Sequence, residues 1–199
     1  MTAEAGVESV AMRFRASVPR ATSNRRLAAR GGPPTESAVF LYVKVFDTII
    51  LMKIYIGSDH AGFATKGELV EYLKTLSVEA YDCGPHEYNH EDDYPDYISE
   101  VAKQVSNDPE AKGIVLGFSG QGEAMVANRF PNIRCAVFYG GTKHILTLSR
   151  EHNDANILSI GAHFVTTQEA KQAVELWLHT EFTNEERHVR RIRKIENYN

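Results

Sequence analysis

This sequence has few cysteines, few long apolar runs and no excess of positive charge. Its 199 residues include only two cysteines, Cys83 and Cys135, far apart and outside any CxxC spacing, so neither a disulfide framework nor a zinc site is predicted. The apolar stretch at residues 39–52 contains Lys44 and Asp47 and is too short to span a bilayer. A net charge of -4 and a pI near 6.1 provide no general reason to bind nucleic acid or an anionic membrane.

The sequence divides into a predicted extension, residues 1–52, and a predicted domain, residues 53–199. Six arginines and no acidic residue lie between Arg13 and Arg30, and the breaker run "RGGPPTES" follows. Three interpretations stay open: a mitochondrial-type transit peptide, a disordered extension, or sequence upstream of a true start at Met52. The predicted location is cytoplasmic, or mitochondrial if the extension is a transit peptide.

Short apolar runs alternate with helical patterns throughout the predicted domain. Five runs have the length and composition of strands: residues 53–57, 78–82, 113–118, 134–139 and 156–161. Apolar stripes with helical spacing lie between them, and one follows the capping box formed by Thr166 and Glu169. This alternation predicts an α/β fold, a Rossmann-like doubly wound parallel sheet of about five strands with helices on both faces. A charged last helix, near residues 184–196, is predicted to reach beyond its own domain.

Polar residues cluster in the loops next to these strands. In doubly wound folds, ligands bind at the carboxyl ends of the strands. Asp59 and His60 follow the first strand, "SGQGE" follows the third, and "YGGTKH" follows the fourth. We expect these loops to converge with "SREHNDAN", which precedes the fifth strand.

The stretch "VLGFSGQGEAMVANR" combines three glycines with one acid. Gly117, Gly120 and Gly122 allow a tight turn, and the helix that begins near Gly122 directs unpaired N–H groups towards an anion. The loop matches neither the dinucleotide fingerprint nor the phosphate loop. On its own, Glu123 is equally well explained as an acid favoured in a first helical turn by the dipole.

Seven motifs occur in order along the domain: "GSDHAGF", "DCG", "DDYPDY", "SGQGEAMVANR", "IRCAV", "SREHNDANILSIGA" and "RHVRRI". From about residue 53 to about residue 198 the chain resembles the type B ribose-5-phosphate isomerase family, which includes the galactose-6-phosphate isomerases. The resemblance implies conversion of an aldose phosphate to a ketose phosphate without metal or cofactor. It also implies a Rossmann-like homodimer, or dimer of dimers, with sites at the subunit interface.

The glycine loop departs from the commoner family pattern. Many members carry a cysteine base in a "CGTGxG" motif, and Gly117 occupies that position here. "FSGQGE" is similar to the "GSGNGE" of the mycobacterial branch, in which the glutamate is the base, and this implies that Glu123 replaces the thiol. Ser119 is implied as a proton relay, unless it is only a turn hydroxyl or a helix cap. Gly120, Gln121 and Gly122 are implied to contact the substrate through an anion hole.

The resemblance assigns the remaining steps to the other motifs. His152, with Asp59 beside it, is implied to open the sugar ring, and Asn153 to contact the sugar or the enediolate. Without the resemblance, His152 is explained as a cap or surface residue at a helix end.

Phosphate binding is implied for residues of the last helix. Arg187 and Arg191 are implied to hold the phosphate from a neighbouring subunit, with help from His60 and His188. Without the resemblance, "RHVRRIRK" is explained as a solvated helix end.

Several questions stay open at this level. His163 lies where many members have a phosphate-binding arginine, so another sugar phosphate (tetrose or hexose) is an alternative substrate. A non-catalytic sugar-phosphate or nucleotide binding module is an alternative of another class. The loop "HEYNHEDDYP" is interpreted as solvated rather than metal-binding, because its ligands lack regular spacing. Both cysteines are interpreted as small core residues.

Overall fold

A computed structural model describes residues 52–76 and 78–198 of the protein. The described residues contain five strands: β1 (Lys53–Ser58), β2 (Glu79–Asp82), β3 (Lys112–Gly117), β4 (Cys135–Phe138) and β5 (Ile157–Gly161). The same part of the chain contains six helices: α1 (Phe63–Thr75), α2 (Tyr94–Asn107), α3 (Gln121–Ala127), α4 (His144–Asn153), α5 (Thr167–His179) and α6 (Glu186–Glu196). Apart from Met52, the predicted extension lies outside the described residues, so the domain boundary stays a prediction.

The strands form one parallel sheet in the order β2-β1-β3-β5-β4. All five predicted strands are confirmed, with ends shifted by at most one residue. The chain passes from β1 to β2 on one side and then to β3 on the other, which makes the β1/β3 boundary a topological switch point. The loops that follow β1 and β3 therefore open next to each other.

Two apolar clusters cover the two faces of the sheet, as the nearly continuous apolar strands predicted. On one face Ile54, Ile114 and Leu158 pack against residues of α1, α4 and α5. On the other face Val115 and Ile157 pack against residues of α2 and α3. Both clusters are fully buried at their centres, so the ends of the strands have fixed positions for a site.

Helix α5 confirms the capping box predicted from the sequence. The Thr166 hydroxyl accepts a hydrogen bond from the Glu169 N–H, and the Glu169 carboxylate accepts one from the Thr166 N–H. The apolar stripe that follows, including Trp177, is buried against the sheet. Local sequence and packing therefore support the same helix.

Helix α6 begins two residues later than predicted and buries only two side chains, those of His188 and Ile192. It packs against the end of α4. Most of its charged residues stay exposed. Whether this helix reaches beyond its own domain stays a prediction.

Both cysteines are free thiols packed against the second apolar cluster. Burial raises the pKa of Cys83 to about 11 and raises the pKa of Cys135 still further, which disfavours a thiolate nucleophile at either position. Within residues 52–76 and 78–198, no helix has the length and hydropathy needed to cross a membrane. The cytoplasmic location stays a prediction.

Candidate active site

The glycine loop joins the end of β3 to α3 and is fixed against β5. Gly120 caps α3 with a φ of 77°, a conformation that favours glycine. A side chain there would also lie 3.0 Å from the backbone nitrogen of Gly161. The Ser159 hydroxyl donates a hydrogen bond to the Gly120 carbonyl at 2.7 Å. The loop is therefore held rigidly at the carboxyl edge of the sheet.

Glu123 lies in the first turn of α3 and is buried, with only 4% of its surface exposed. Its carboxylate lies directly beside Gly117, where a β-carbon would overlap both Oε1 and Cδ of Glu123. Its Oε2 is buried and has no hydrogen-bond partner in the described part of the chain. This carboxylate is therefore held in place while one of its oxygens stays free for a ligand.

The pKa of Glu123 is raised, first by burial and then by the nearby charge of Asp59. Hydrogen bonds from the backbone N–H groups of Glu123 and Gly120 act in the opposite direction, but they do not cancel the increase. Unlike Glu123, an exposed acidic residue at the start of a helix would be neither buried nor raised in pKa.

Two other side chains border the loop. The Ser119 hydroxyl accepts a hydrogen bond from the Gln121 N–H at 3.3 Å, the turn contact considered as one explanation for this serine. The ring of Tyr94 covers Gly122, where an added β-carbon would lie 2.9 Å from the phenol oxygen. Tyr94 belongs to the "DDYPDY" motif, but its place beside the loop was not predicted.

Asp59 and His60 follow β1 at the same edge of the sheet. Asp59 is buried, and its Oδ1 accepts hydrogen bonds from the N–H groups of Ala61 and Gly62 at 2.9 and 3.1 Å. These contacts shape the turn before α1. They also place the Asp59 carboxylate near enough to Glu123 to raise the pKa of Glu123.

The ring of His60 is paired with Asp92, a contact that sequence reasoning missed. Nδ1 of His60 lies 2.6 Å from Oδ1 of Asp92, whose side chain is only 3% exposed. This hydrogen bond raises the pKa of His60. Asp92 belongs to the loop "HEYNHEDDYP", which was interpreted as solvated, and for this residue that interpretation is wrong because the loop folds back onto β1. The one sequence feature that pointed to Asp92 was its place in the motif "DDYPDY".

A second group of predicted site residues lies at the end of α4. The rings of His152 and His188 are stacked, with centroids 4.3 Å apart and an angle of 10° between the planes. His188 is buried, and its pKa is lowered by burial and by the charges of His152 and Arg187. Nε of Arg187 lies 3.2 Å from Nε2 of His188, and Arg191 is exposed on the same helix.

Two arginines hold this end of α4. Arg134 donates through Nε to the carbonyl oxygens of Asn153 and Asp154 at 3.0 and 2.9 Å, and Arg150 pairs with the Asp154 carboxylate at 2.8 Å. Asp154 ends the helix with a positive φ of 45°. The position of His152 and Asn153 is therefore well defined.

The expected convergence of all the polar loops is wrong within one chain. Helix α4 runs back from the carboxyl edge, so "SREHNDAN" lies at the amino edge, just before β5. Gly117 pairs with Gly161 at one end of β5, and Gly113 pairs with Ile157 at the other. Four residue steps along the strand, of about 3.3 Å each, separate these edges by about 13 Å. His152 therefore does not lie beside Asp59 of its own chain.

His163 lies at the carboxyl edge, next to the glycine loop. Its ring stacks on the exposed ring of Phe118, with centroids 4.1 Å apart and an angle of 16°. The His163 N–H donates to the Phe118 carbonyl at 3.1 Å. His163, which stands where an arginine was expected, is therefore part of an aromatic surface beside the site.

A doubly wound sheet with a glycine-rich loop and a buried carboxylate at its carboxyl edge defines a class of α/β proteins that bind small ligands there. The sequence matches the family described as Ribose/Galactose Isomerase over residues 54–195. The chain belongs to this family.

Individual relatives and solved structures agree with this assignment. Ribose-5-phosphate isomerase B of Mycobacterium tuberculosis is 39% identical over 147 residues, which cover 74% of this chain and 90% of the relative. The structure of Clostridium thermocellum ribose-5-phosphate isomerase B has a TM-score of 0.70 and 41% identity, covering 74% of this chain and 97% of that chain. The Mycoplasma genitalium enzyme with bound ribulose-5-phosphate has a TM-score of 0.70 and 35% identity, covering 74% and 95%. The protein is an aldose-ketose isomerase.

Proposed function

We propose that this protein interconverts ribose 5-phosphate and ribulose 5-phosphate, with Glu123 as the catalytic base. The observation that carries the proposal is the buried Glu123 carboxylate, held at the carboxyl edge with Oε2 unpaired among the described residues. The substrate is suggested by the relatives named ribose-5-phosphate isomerase B and by the solved structure with bound ribulose-5-phosphate. A non-catalytic module would gain nothing from a carboxylate that repels an anionic ligand.

The reaction requires one base on one face of the open-chain sugar. Glu123 removes the proton from C2, a cis-enediolate forms, and the same carboxyl group returns a proton to C1. A raised pKa supports this role, because a carboxylate with a higher proton affinity is a stronger base while it is still ionised.

The negative oxygen of the enediolate requires hydrogen-bond donors. Gly120, Gln121 and Gly122 lie at the start of α3, where backbone N–H groups lack acceptors within the helix. The N–H groups of Gly120 and Gly122 stabilise the enediolate more than the neutral carbonyl of the substrate. The Gln121 N–H, which donates to the Ser119 hydroxyl, orients that hydroxyl at the same site. Ser119, at the same turn, passes a proton between O1 and O2.

Ring opening and phosphate binding involve residues from both edges of the sheet. Asp59 and His60 lie at the carboxyl edge, and the residues at the amino edge are His152, Asn153, Arg187, His188 and Arg191. Because the edges of one chain are about 13 Å apart, a complete site takes its amino-edge residues from a second copy. We therefore propose a homodimer, or a dimer of dimers, with sites at the subunit interface.

His163 favours one alternative within the same enzyme class. An imidazole stacked on Phe118 cannot form the two-pronged contact that an arginine makes with phosphate. A tetrose or hexose phosphate is therefore the alternative substrate, and a comparison of kcat/KM among these sugar phosphates distinguishes the possibilities.

Glu123→Gln in the full chain tests the base. The amide keeps the size of the side chain but cannot accept the C2 proton, so kcat for ribose 5-phosphate should fall about 10³-fold. Glu110→Gln, at an exposed position outside the site, is the matched control and should keep full activity. Full activity of Glu123→Gln would show that the base lies elsewhere. A parent chain inactive on ribose 5-phosphate but active on another sugar phosphate would overturn the substrate.

Mixed subunits test the interfacial site. Glu123→Gln and His152→Ala chains, each inactive alone, should regain about a quarter of the parent activity after unfolding and refolding together, because half of the dimers then contain one intact site. Glu123→Gln mixed with Asp59→Asn is the control, since both changes affect the same edge and no site becomes intact. Equal recovery in both mixtures, or in neither, would count against sites shared between chains.

A further inference from the structure

We propose that Asp92 is a positioning residue that holds the ring of His60 as an imidazolium, oriented to receive the phosphate of the substrate. This inference rests on the proposed function, in which His60 contacts that phosphate. It assigns a role to the loop after β2, residues 83–93, which the proposed mechanism does not use.

The geometry of the contact is specific. Oδ1 of Asp92 lies 2.6 Å from Nδ1 of His60 and accepts a second hydrogen bond, at 3.0 Å, from the backbone N–H of the same histidine. One oxygen therefore fixes both the ring and the main chain of a residue 32 positions earlier in the sequence. Two contacts to one residue leave the ring little rotational freedom.

Because the Asp92 carboxylate is buried, pairing it with a neutral group instead of a positive charge costs free energy. Its side chain is 3% exposed, and Oδ2 has no hydrogen-bond partner within the described ranges. A buried carboxylate with one unpaired oxygen is stabilised mainly by a positive charge close to it. Among residues 52–76 and 78–198, the Asp92 side chain makes hydrogen bonds only with His60, so the imidazolium supplies this charge.

The charge state decides what the other ring nitrogen can do. Nδ1 is committed to Asp92, and Nε2 remains for the ligand. In a neutral ring with its proton on Nδ1, Nε2 is an acceptor and repels phosphate oxygens, whereas in the imidazolium Nε2 is a donor. Asp92 therefore favours the form of His60 in which Nε2 is a charged donor.

The other groups around His60 act mostly in the same direction. The negative charges of Asp59 and Glu91 add to that of Asp92 in raising the pKa of His60, and desolvation opposes them. The rings of Tyr88 and His90 lie 6.5 and 5.1 Å from the His60 ring. A charge on His90 would oppose the effect, but its Nδ1 lies 3.2 Å from the Glu91 carboxylate, which offsets that charge.

The test compares the full chain with Asp92→Asn. The amide oxygen can still accept both hydrogen bonds, so the ring keeps its position while the negative charge is lost. NMR titration of the His60 ring should show a lower pKa in the variant. The affinity for inorganic phosphate near pH 7.5 should fall roughly tenfold, the loss of one charge-assisted contact. KM for ribose 5-phosphate should rise by a similar factor with a smaller change in kcat.

Two controls separate charge from structure. Asp93→Asn changes the adjacent exposed carboxylate, which makes no cap contact, and should leave all three quantities unchanged. Near pH 5, where His60 is protonated in both proteins, Asp92→Asn should bind phosphate as tightly as the parent. Asp92→Glu keeps the charge and should retain part of the affinity near pH 7.5.

An unchanged titration of His60 in Asp92→Asn would overturn the inference, and so would a loss of phosphate affinity that is equal at both pH values. The titration does not depend on turnover. A normal isomerase with an unshifted His60 therefore contradicts this inference alone, whereas a shifted His60 in a chain that does not isomerise ribose 5-phosphate contradicts the proposed function alone.

Discussion

The carboxylate of Glu123 occupies the space beside the α-carbon of Gly117 where a side chain would begin. A β-carbon at residue 117 would overlap Oε1 and Cδ of Glu123. Residue 117 is thus open to glycine alone while Glu123 keeps this conformation. A side chain at residue 117 and the carboxylate of residue 123 would compete for one volume.

Gly117→Ala should displace the Glu123 carboxylate and lower kcat about 100-fold, because a shift of about 1 Å in a reacting group has that order of effect. The control is Gly67→Ala, where an added β-carbon meets nothing within 4 Å. That helical change should preserve kcat and stabilise the fold by about 0.5–1 kcal/mol. Steady-state kinetics and thermal unfolding measure both effects. Unchanged kcat in Gly117→Ala would mean that the carboxylate position is not critical.

The pH dependence of kcat/KM should reflect the raised pKa of Glu123. The base acts as the carboxylate, so activity is present above this pKa and is lost as the pH falls through it. The acid limb should therefore lie above the ordinary value for a glutamate, about 4.3. Initial rates from pH 4 to pH 9 locate the limb. A limb at the ordinary value would contradict the assignment of the raised pKa to the catalytic base.

Glu123→Gln should also leave the protein at least as stable as the parent at neutral pH. Because the folded state raises the pKa of Glu123, it binds a proton more tightly than the unfolded state, and the ionised carboxylate reduces stability above its unfolded pKa. A neutral amide removes this cost. Thermal unfolding at pH 7.5 should give an equal or higher Tm. A clearly lower Tm would contradict a net cost of burying the ionised carboxylate.

His188 should make the fold less stable in mild acid. Its folded pKa is lowered, so below about 6.5, the ordinary histidine value, the unfolded chain binds a proton that the folded chain does not. Stability is therefore present above that pH and falls as the pH decreases towards the folded pKa. His188→Asn should lose less Tm between pH 7.5 and 5.5 than the parent. His144→Asn, at an exposed position, should behave as the parent does; the same loss in all three would exclude His188 as the cause.

His163→Arg should lower KM for ribose 5-phosphate about tenfold if the phosphate lies near this aromatic surface, because a guanidinium adds a charge-assisted contact. Stacking on Phe118 suits an arginine as well as a histidine. Steady-state kinetics with ribose 5-phosphate and with hexose phosphates measure the change. An unchanged KM for every sugar phosphate would place the phosphate away from residue 163.

Much of the fold could be predicted because local and global signals agree. The five strands are apolar runs of the right length between breakers, and the capping box of Thr166 and Glu169 marks the start of α5. The insertion of β5 between β3 and β4 could not be predicted, since strand order depends on how helices cross the sheet rather than on any one segment. That order decides which loops lie together.

For the candidate site, local motifs identified residues but not their neighbours. Glu123 was selected by a motif, but its contact with Gly117 and its burial depend on how α3 packs against the sheet. Asp92 was missed because 32 residues separate it from His60, and a hydrophilic loop has no periodicity that reports a distant partner.

The alternation of strands and helices, the glycine loop and the kinds of side chain available for proton transfer and anion binding could all be inferred from the amino-acid sequence. Those properties depend on residue type and short-range spacing. The folded structure was needed to establish that the carboxylate of Glu123 is buried beside Gly117, that Asp92 pairs with His60, and that His152 lies at the opposite edge from Asp59. Such properties arise from packing between segments distant in sequence, which sets burial, dielectric environment and distance together.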